Sequence, residues 1–162
     1  MNENELAAFR QEHIGFVFQS YNLLKELTAV ENVAMPLMFR GIPKETRELE
    51  AKKMLHRVGL LNRMNHFPGQ MSGGQQQRAG IARAFISRPE IVFADEPTGN
   101  LDTKTTKEVM QMIRKFARTF HQTIVLVSHD PEMTTYADRI VTLIDGQIVS
   151  DVRTNQQEEN IV

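Results

Sequence analysis

Residues 71–78 read Met71-Ser72-Gly73-Gly74-Gln75-Gln76-Gln77-Arg78, a pattern that predicts the start of a helix. Ser72 is a favourable helix N-cap, so a helix is predicted from Ser72 to about Ser87. Two glycines at its start let a ligand approach the backbone, where N–H groups and the positive end of the helix dipole attract an anion. A plain N-cap turn is the alternative, and the run from Gln75 to Arg78 fits a solvated helix face equally well.

Short apolar strands lie on both sides of this stretch. They are predicted at Ile14–Phe18, Ile91–Ala94 and Thr123–Val127, each a run of mostly apolar residues. Continuous apolar strands separated by helices predict a parallel sheet that is covered on both faces. In such sheets, ligands bind beyond the carboxyl ends of the strands.

Helices and a hairpin complete the predicted elements. Helices are expected at residues 3–12, 30–39 and 44–58, with a break or bend at Pro36, whose backbone lacks an N–H donor. A further amphipathic helix carries the apolar residues Val109, Met112, Ile113 and Phe116. Residues 140–144 and 147–150 predict a hairpin around the tight turn Asp145-Gly146.

Polar side chains follow the three predicted strands. Gln19 follows the first, Asp95 and Glu96 follow the second, and His129 follows the third. Two adjacent carboxylates at the end of an apolar strand are costly unless a cation or a reaction uses them. In ATPases of the phosphate-loop class, a strand-end aspartate holds Mg²⁺ and a neighbouring polar group orients the attacking water. Taken singly, the acids could be solvated and His129 could merely cap a strand.

Taken in order, these motifs resemble the series found in ATP-binding-cassette (ABC) ATPases: Q-loop Gln19, signature Ser72–Gln75, Walker B pair Asp95-Glu96, D-loop Leu101-Asp102 and H-loop His129. Each motif alone is a weak signal, but the complete series argues against chance agreement. The resemblance covers about residues 3 to 150. Finer matches at residues 16–24 and 95–102 resemble the subgroup that serves lipoprotein release, macrolide export and antimicrobial-peptide efflux.

The resemblance implies an α/β fold, as a partial P-loop NTPase (ABC ATPase) domain over residues 1–150. The sheet would be mostly parallel, with a hairpin at the carboxyl end. A helical signature subdomain, about residues 30–88, would be inserted in the catalytic core. Residues 151–162 would form a flexible tail.

The family also implies how ATP would be bound. Two such ATPases dock head to tail, and each ATP lies between the P-loop of one subunit and the signature motif of the other. The signature residues would bind the γ-phosphate of ATP held by the second ABC ATPase subunit; they are Ser72, Gly73, Gly74 and Gln75. Asp102 would lie at the dimer seam.

Catalytic and metal-binding roles follow in the same way from the resemblance. Asp95 would hold Mg²⁺, and Glu96 would act as general base on the attacking water. His129 would contact the γ-phosphate. Gln19 would approach both the Mg²⁺ and the water, and would link the site to a transmembrane permease subunit.

The coupling groove for that permease would involve the region from Tyr21 to Phe39. Its apolar residues could receive a partner helix, with a buried core contact as the alternative for each; they are Leu23, Leu24, Met35, Leu37, Met38 and Phe39. A peripheral location on the cytoplasmic face of the cell membrane is implied. The formal charge of −1 argues against a nucleic-acid partner, and the absence of cysteine excludes disulfides.

The sequence contains no G-x-x-x-x-G-K-[ST] motif, so the loop and lysine that cradle the phosphates are missing. We expect that the chain is a fragment, with Met1 inside a domain. The missing strand would then leave Ile91–Ala94 and Thr123–Val127 without a neighbour. Two other hypotheses stay open: a soluble ABC protein of DNA repair or translation, and a non-hydrolytic scaffold module such as a cell-division ABC protein.

This chain alone should not hydrolyse ATP, because nothing in it holds the phosphates within reach of Asp95, Glu96 and His129. The test compares ATP turnover by the purified 162-residue chain with that of its Glu96→Gln variant. The two rates should be equal. A higher rate for the unmodified chain would reject the prediction.

Overall fold

A computed structural model describes residues 2–154, and it divides the chain after Val127 into two units. The helices of the first unit are α1 (Glu3–His13), α2 (Ala29–Phe39), α3 (Lys44–Arg57), α4 (Gly73–Ile86) and α5 (Thr103–Phe120). The strands are β1 (Ile14–Phe18), β2 (Ile91–Asp95) and β3 (Thr123–Val127) in the first unit, with β4 (Arg139–Ile144) and β5 (Gln147–Arg153) in the second. Within the described residues, no helix is both long and apolar enough to cross a membrane.

The sheet of the first unit is parallel and has the order β1-β2-β3. Phe18 is paired with Asp95, and Asp95 is paired with Val127, so the three strands end level with one another. The residues that follow the strands therefore leave the sheet at one edge. This arrangement brings Gln19 to the same edge as Asp95 and Glu96.

The central strand is β2, which pairs with β1 on one side and β3 on the other. The expectation that Ile91–Ala94 lacks a neighbour is therefore wrong, because β2 is paired on both sides. Among the described residues, β3 has a strand on one side only. Of the two strands that were expected to lose a neighbour, only Thr123–Val127 has an unpaired edge.

One face of the sheet is buried and the other is partly exposed. Val17, Val92 and Ala94 are buried, whereas Phe16 and Val127 on the opposite face are 43% and 54% exposed. Within residues 2–154, the prediction of a sheet covered on both faces is thus wrong. Strands with apolar side chains on both faces are usually buried on both faces. Helix α4, which packs on β1, covers one face of the sheet only. The aromatic rings on the partly exposed face stack on each other instead, with the ring centroid of Phe16 5.7 Å from those of Phe18 and Phe93.

Helix α4 lies close enough to β1 to exclude a side chain at Gly15. A Cβ atom built at Gly15 would lie 2.5 Å from the backbone oxygen of Ala84 and 3.0 Å from Cγ of Pro89. Helices α2, α3 and α5 all pack on α4. The aromatic ring of Phe85 on α4 meets that of Phe116 on α5 edge to face at 5.3 Å.

Helix α2 runs through Pro36 without a break, so of the predicted break or bend the break is wrong, and a bend stays a prediction. Thr28 and Glu31 form a capping box at its start, which compensates part of the cost of the missing backbone hydrogen bond. Asn32 is fully buried on α2, and its side chain binds the backbone of Leu24 and Leu27. These contacts fix the loop that enters the helix.

The second unit contains the predicted hairpin. Strands β4 and β5 are antiparallel, and the turn residues Asp145 and Gly146 have φ angles of 48° and 77°. Such left-handed pairs are typical of two-residue hairpin turns. Strand β5 continues to Arg153, so the predicted flexible tail begins too early: Asp151 pairs with Val141 and binds Arg139. The rest of that predicted tail, residues 155–162, lies outside the described residues.

Gly15→Ala should destabilise the chain, because the new Cβ would collide with the backbone of α4, which cannot move aside as a flexible side chain could. We expect a loss of about 1–3 kcal/mol in the free energy of unfolding, the usual cost of overpacking a core. Urea denaturation measures it. The control is Gly69→Ala, where no atom lies within 4 Å of the new Cβ and little should change. Equal urea midpoints for the two variants would contradict the prediction.

Candidate functional site

The two acidic residues at the end of β2 differ in backbone conformation. Asp95 is the last residue of the strand, and its side chain is exposed. Glu96 has a φ of 43°, in the left-handed region that non-glycine residues rarely adopt. Its N–H donates to the carbonyl of Val127 (2.9 Å), and its carbonyl accepts from Gly99 (3.1 Å). Such strain is concentrated at functional sites, and the sequence gives no sign of it.

Gln19 contacts the loop that follows Glu96. Its carbonyl accepts a hydrogen bond from Nδ2 of Asn100 (3.1 Å). A Cβ built at Gly99 would lie 2.5 Å from Nε2 of Gln19, so the glutamine amide lies directly on that glycine. Two of the predicted motifs, far apart in the sequence, are therefore in contact.

The signature turn is the N-terminus of α4, as predicted. Ser72 is the N-cap: its Oγ accepts from the N–H of Gln75 (3.3 Å), and Oε1 of Gln75 accepts from the N–H of Ser72 (3.0 Å). The first N–H groups of a helix have no intrahelical acceptor, and this capping box supplies acceptors only to those of Ser72 and Gln75. The N–H groups of Gly73 and Gly74 remain at the helix end, where an anion would bind.

Both signature glycines have a neighbour where a side chain would begin. A Cβ on Gly73 would lie 2.7 Å from the hydroxyl oxygen of Tyr21, and a Cβ on Gly74 would lie 2.9 Å from Cγ2 of Thr105. Tyr21 belongs to the loop after β1, and Thr105 to the first turn of α5. The signature turn is thus held between these two elements, and a larger residue at either position would have to displace the side chain of Tyr21 or Thr105.

Asp102 is the N-cap of α5. Its carboxylate accepts from the N–H of Lys104 and Thr105 (3.0 Å each) and from the hydroxyl of Thr105 (2.6 Å). The hydroxyl bond, followed by the backbone bond of Thr105, holds the pKa of Asp102 below its ordinary value of 3.8. The residue is exposed, and its place at a dimer seam stays a prediction.

His129 lies in the second unit, in a turn with Ser128 and Asp130. The N–H of Asp130 donates to Oγ of Ser128 (3.1 Å), and the carboxylate of Asp130 caps the short helix that begins at Pro131. The imidazole of His129 is exposed. Its predicted catalytic role stays a prediction.

Gln77 and Arg83 were missed as functional candidates. The sequence allowed a solvated helix face from Gln75 to Arg78, but Gln77 is fully buried, and its Nε2 donates to the carbonyl of Pro97 (2.6 Å). Arg83, further along α4, binds the carbonyls of Tyr21 and Asn22. For Arg83 a usable signal was present, because it is the one charged residue in the run from Ala79 to Ile86, all of which is buried.

The donor atoms at the strand ends are compatible with Mg²⁺ that arrives with a nucleotide. Within residues 2–154, no three acidic or histidine side chains are grouped closely enough to hold a metal ion by themselves. Protein sites for Mg²⁺ commonly use one or two carboxylates together with phosphate oxygens and water. The exposed carboxylate of Asp95 and the amide oxygen of Gln19 are hard donors of that kind.

Comparison with known proteins decides the family. The family model for ABC transporters matches residues 1–99. The chain belongs to the ABC transporter family. The macrolide export ATP-binding/permease protein MacB of Neisseria meningitidis serogroup B is 46% identical over 157 residues, which are 97% of this chain and 24% of MacB. MJ1508 of Methanocaldococcus jannaschii, an uncharacterized ABC transporter ATP-binding protein, is 50% identical over 149 residues, 92% of this chain and 66% of that relative.

The fold comparison gives the same family. A dimeric structure of the ATP-binding cassette MJ0796, in a post-hydrolysis state bound to ADP and Pi, matches with a TM-score of 0.84 and 40% identity. The match covers 94% of this chain and 68% of that one. The predicted fold class is confirmed, as a parallel sheet with helices and a carboxyl-terminal antiparallel hairpin. The chain itself spans only 24% of the length of MacB.

A cavity of about 290 Å³ lies beside β1 and the loop that follows it. Its wall includes Phe16, Phe18, Met35 and Phe39, contributed by β1 and α2. Of the six residues predicted for a coupling groove, Met35 and Phe39 line the cavity, and Leu24, Met38 and Phe39 are exposed. Leu37 is buried in the core at 8% exposure, so for this residue the alternative of a core contact holds and the groove does not.

The free energy of unfolding should depend on pH through Asp102, the N-cap of α5. Because the pKa of Asp102 is lowered on folding, its ionised form stabilises the fold above the unfolded pKa near 3.8, and this contribution is lost as the pH falls through the lower folded pKa. Asp102→Asn should therefore lower the urea midpoint at pH 7, and the difference should shrink below about pH 4.

Thr105→Val is the matched variant, because it removes the largest cause of the shift and keeps the methyl group beside Gly74. It should give a smaller difference of the same sign. A difference for Asp102→Asn that is constant from pH 7 to pH 3 would contradict the assignment.

Proposed function

We propose that this chain is the ATP-binding part of an ABC transporter that couples ATP hydrolysis to the export or membrane extraction of a substrate. The contact of Gln19 with Gly99 and Asn100, beside the signature turn of α4, is the observation that carries the proposal. It joins two of the loops that the family uses around ATP, and the contact of Tyr21 with Gly73 adds the signature turn. Each loop taken alone would also fit an ordinary surface turn without a function.

The signature turn supplies an anion site for ATP that a second subunit holds. The N–H groups of Gly73 and Gly74 lie at the positive end of a helix of 14 residues, which favours a phosphate oxygen. Ser72 and Gln75 hold the turn through their capping box. A rigid turn loses little entropy on binding, so it can distinguish ATP from ADP by the γ-phosphate that it contacts.

Glu96 is the proposed general base. It would accept a proton from the water that attacks the γ-phosphate, and Gln19 and His129 would orient that water and the phosphate. Asp95 would hold Mg²⁺, which neutralises phosphate charge in such reactions. The left-handed backbone at residue 96 turns the chain sharply after β2, so Asp95 and Glu96 are presented by different backbone conformations.

The partners are a second ABC subunit and a permease, with the domain at the cytoplasmic face of the membrane. The dimer of MJ0796 and the name of MacB, an ATP-binding/permease protein, support these partners by analogy. The cavity between β1 and α2, with the exposed Met38 and Phe39 beside it, offers apolar surface to a permease segment. No nucleic acid is expected as a partner, since the formal charge is −1.

The test uses a hybrid cassette, in which the P-loop-containing segment of an ABC ATPase is joined ahead of Met1. Glu96→Gln should reduce turnover by about 100-fold or more, because a general base typically contributes 10²–10⁴-fold. The variant should still bind ATP and accumulate as an ATP-dependent dimer, measured by size-exclusion chromatography.

Glu90→Gln is the control, since Glu90 lies before β2 and binds His13, away from the Gln19 loop. It should leave turnover unchanged. Unaltered turnover in Glu96→Gln would show that another residue acts as base. A hybrid that dimerises with ATP yet never hydrolyses it would favour the non-hydrolytic scaffold module.

A further inference from the structure

Arg83 on α4 holds the loop that follows β1. Its Nη1 donates to the carbonyl of Asn22 (2.6 Å), and its Nη2 donates to the carbonyl of Tyr21 (3.0 Å). The side chain is only 8% exposed, and burial lowers its pKa from the ordinary value. Arginine stays charged in proteins at neutral pH, so these are charge-assisted bonds from a rigid fork to two successive carbonyls.

The two residues that Arg83 holds are both in the left-handed region. Tyr21 has a φ of 63°, and Asn22 has a φ of 49°. Consecutive left-handed residues are costly for side chains other than glycine. The turn therefore depends on outside contacts, and Arg83 supplies two of them.

The same turn reaches the signature motif. The hydroxyl of Tyr21 lies where a side chain on Gly73 would begin, and its carbonyl lies 3.4 Å from a Cβ built on Gly80. Gly73 and Gly80 are seven residues apart, so they lie on one face of α4. Tyr21 thus follows the helix for about two turns, from Gly80 to the signature turn.

The contacts form a closed circuit through the proposed site. Arg83 binds Tyr21, the chain leads back from Tyr21 to Gln19, and the carbonyl of Gln19 accepts from Asn100. The loop before Asn100 returns to α4, because Gln77 donates to the carbonyl of Pro97. A displacement of the Gln19 loop must therefore move α4 or break one of these hydrogen bonds.

We propose that Arg83 is a positioning residue that makes the Gln19 loop and the signature turn move together, with Tyr21 as the contact between them. Gln19 serves the ATP on this subunit, whereas the signature turn serves the ATP on the second subunit. Arg83 therefore links the two sites of a dimer through a single side chain. This inference rests on the proposed function.

Arg83→Lys in the hybrid cassette is the first test, because lysine keeps the charge but lacks the planar fork for two carbonyls. We expect kcat to fall by about tenfold or more, since misplacing reacting groups by about an ångström can cost on the order of 100-fold. The KM for ATP should not change, because Arg83 would act on the position of the Gln19 loop and the signature turn, and the added P-loop segment would bind the nucleotide.

Arg47→Lys is the matched control. Nη1 of Arg47 also donates to a backbone carbonyl, that of Ile42, but it does not contact the Gln19 loop. Its kcat should equal that of the unmodified hybrid. If the hybrid lacks turnover, or if Glu96→Gln leaves turnover unchanged, the proposed function fails first, and the exchange experiment below still tests the link.

Hydrogen exchange on the 162-residue chain is the second test, and it requires no activity. Arg83→Lys should speed amide exchange at residues 20–24 and 73–76 together, and leave α3 as protected as in the Arg47→Lys control. Faster exchange at residues 20–24 alone would overturn the link to the signature turn. Faster exchange throughout the chain would mean that Arg83 only stabilises the fold, which would overturn the proposal. In the hybrid cassette, a kcat equal to that of the Arg47→Lys control would also overturn it.

Discussion

Helix α4 can pack against β1 only because residue 15 has no side chain. The backbone oxygen of Ala84 occupies the space where a Cβ of Gly15 would lie. Helices α2, α3 and α5 then pack on α4, so a single close approach of helix and strand sets the position of most of the first unit. The C-terminal end of α4 contacts the sheet, and this contact sets the position of the signature turn at the N-terminal end.

Polar groups inside this unit act mainly on loops. Asn32 is fully buried and uses its amide to bind the carbonyls of Leu24, Leu27 and Thr28, while its oxygen accepts from the N–H of Leu24. Burying an amide is tolerable only when its hydrogen bonds are made. Gln77 binds the loop after β2 in the same way. Buried side chains on helices therefore hold the loops that carry the candidate site in one conformation.

The sequence was sufficient for features set by local chemistry. Ser72 predicted the start of α4, and the apolar runs predicted β1, β2 and β3, because caps and strand propensity act over a few residues. Asp145-Gly146 predicted the hairpin for the same reason. The length of β5 was underestimated, since the bond between Arg139 and Asp151 across the hairpin leaves no local signal.

Features that depend on tertiary contacts escaped prediction. The continuity of α2 through Pro36, the burial of Gln77 and the left-handed turn at Tyr21 all depend on neighbours distant in the chain. Strand order also escaped, because an apolar run predicts a buried strand without naming its neighbours. The candidate site was found as a set of residues, whereas the contacts of Gln19 with Gly99 and of Tyr21 with Gly73 came only from the structure.

Residue 96 is the place where folding and chemistry make opposite demands. Its backbone, with a φ of 43°, would suit glycine or asparagine better than glutamate. Glycine there would relieve strain but remove the proposed base, and asparagine would keep the polar side chain without its ability to accept a proton. A more stable chain and a working hydrolytic site therefore call for different residues at this position, so a screen for stability alone would select against catalysis.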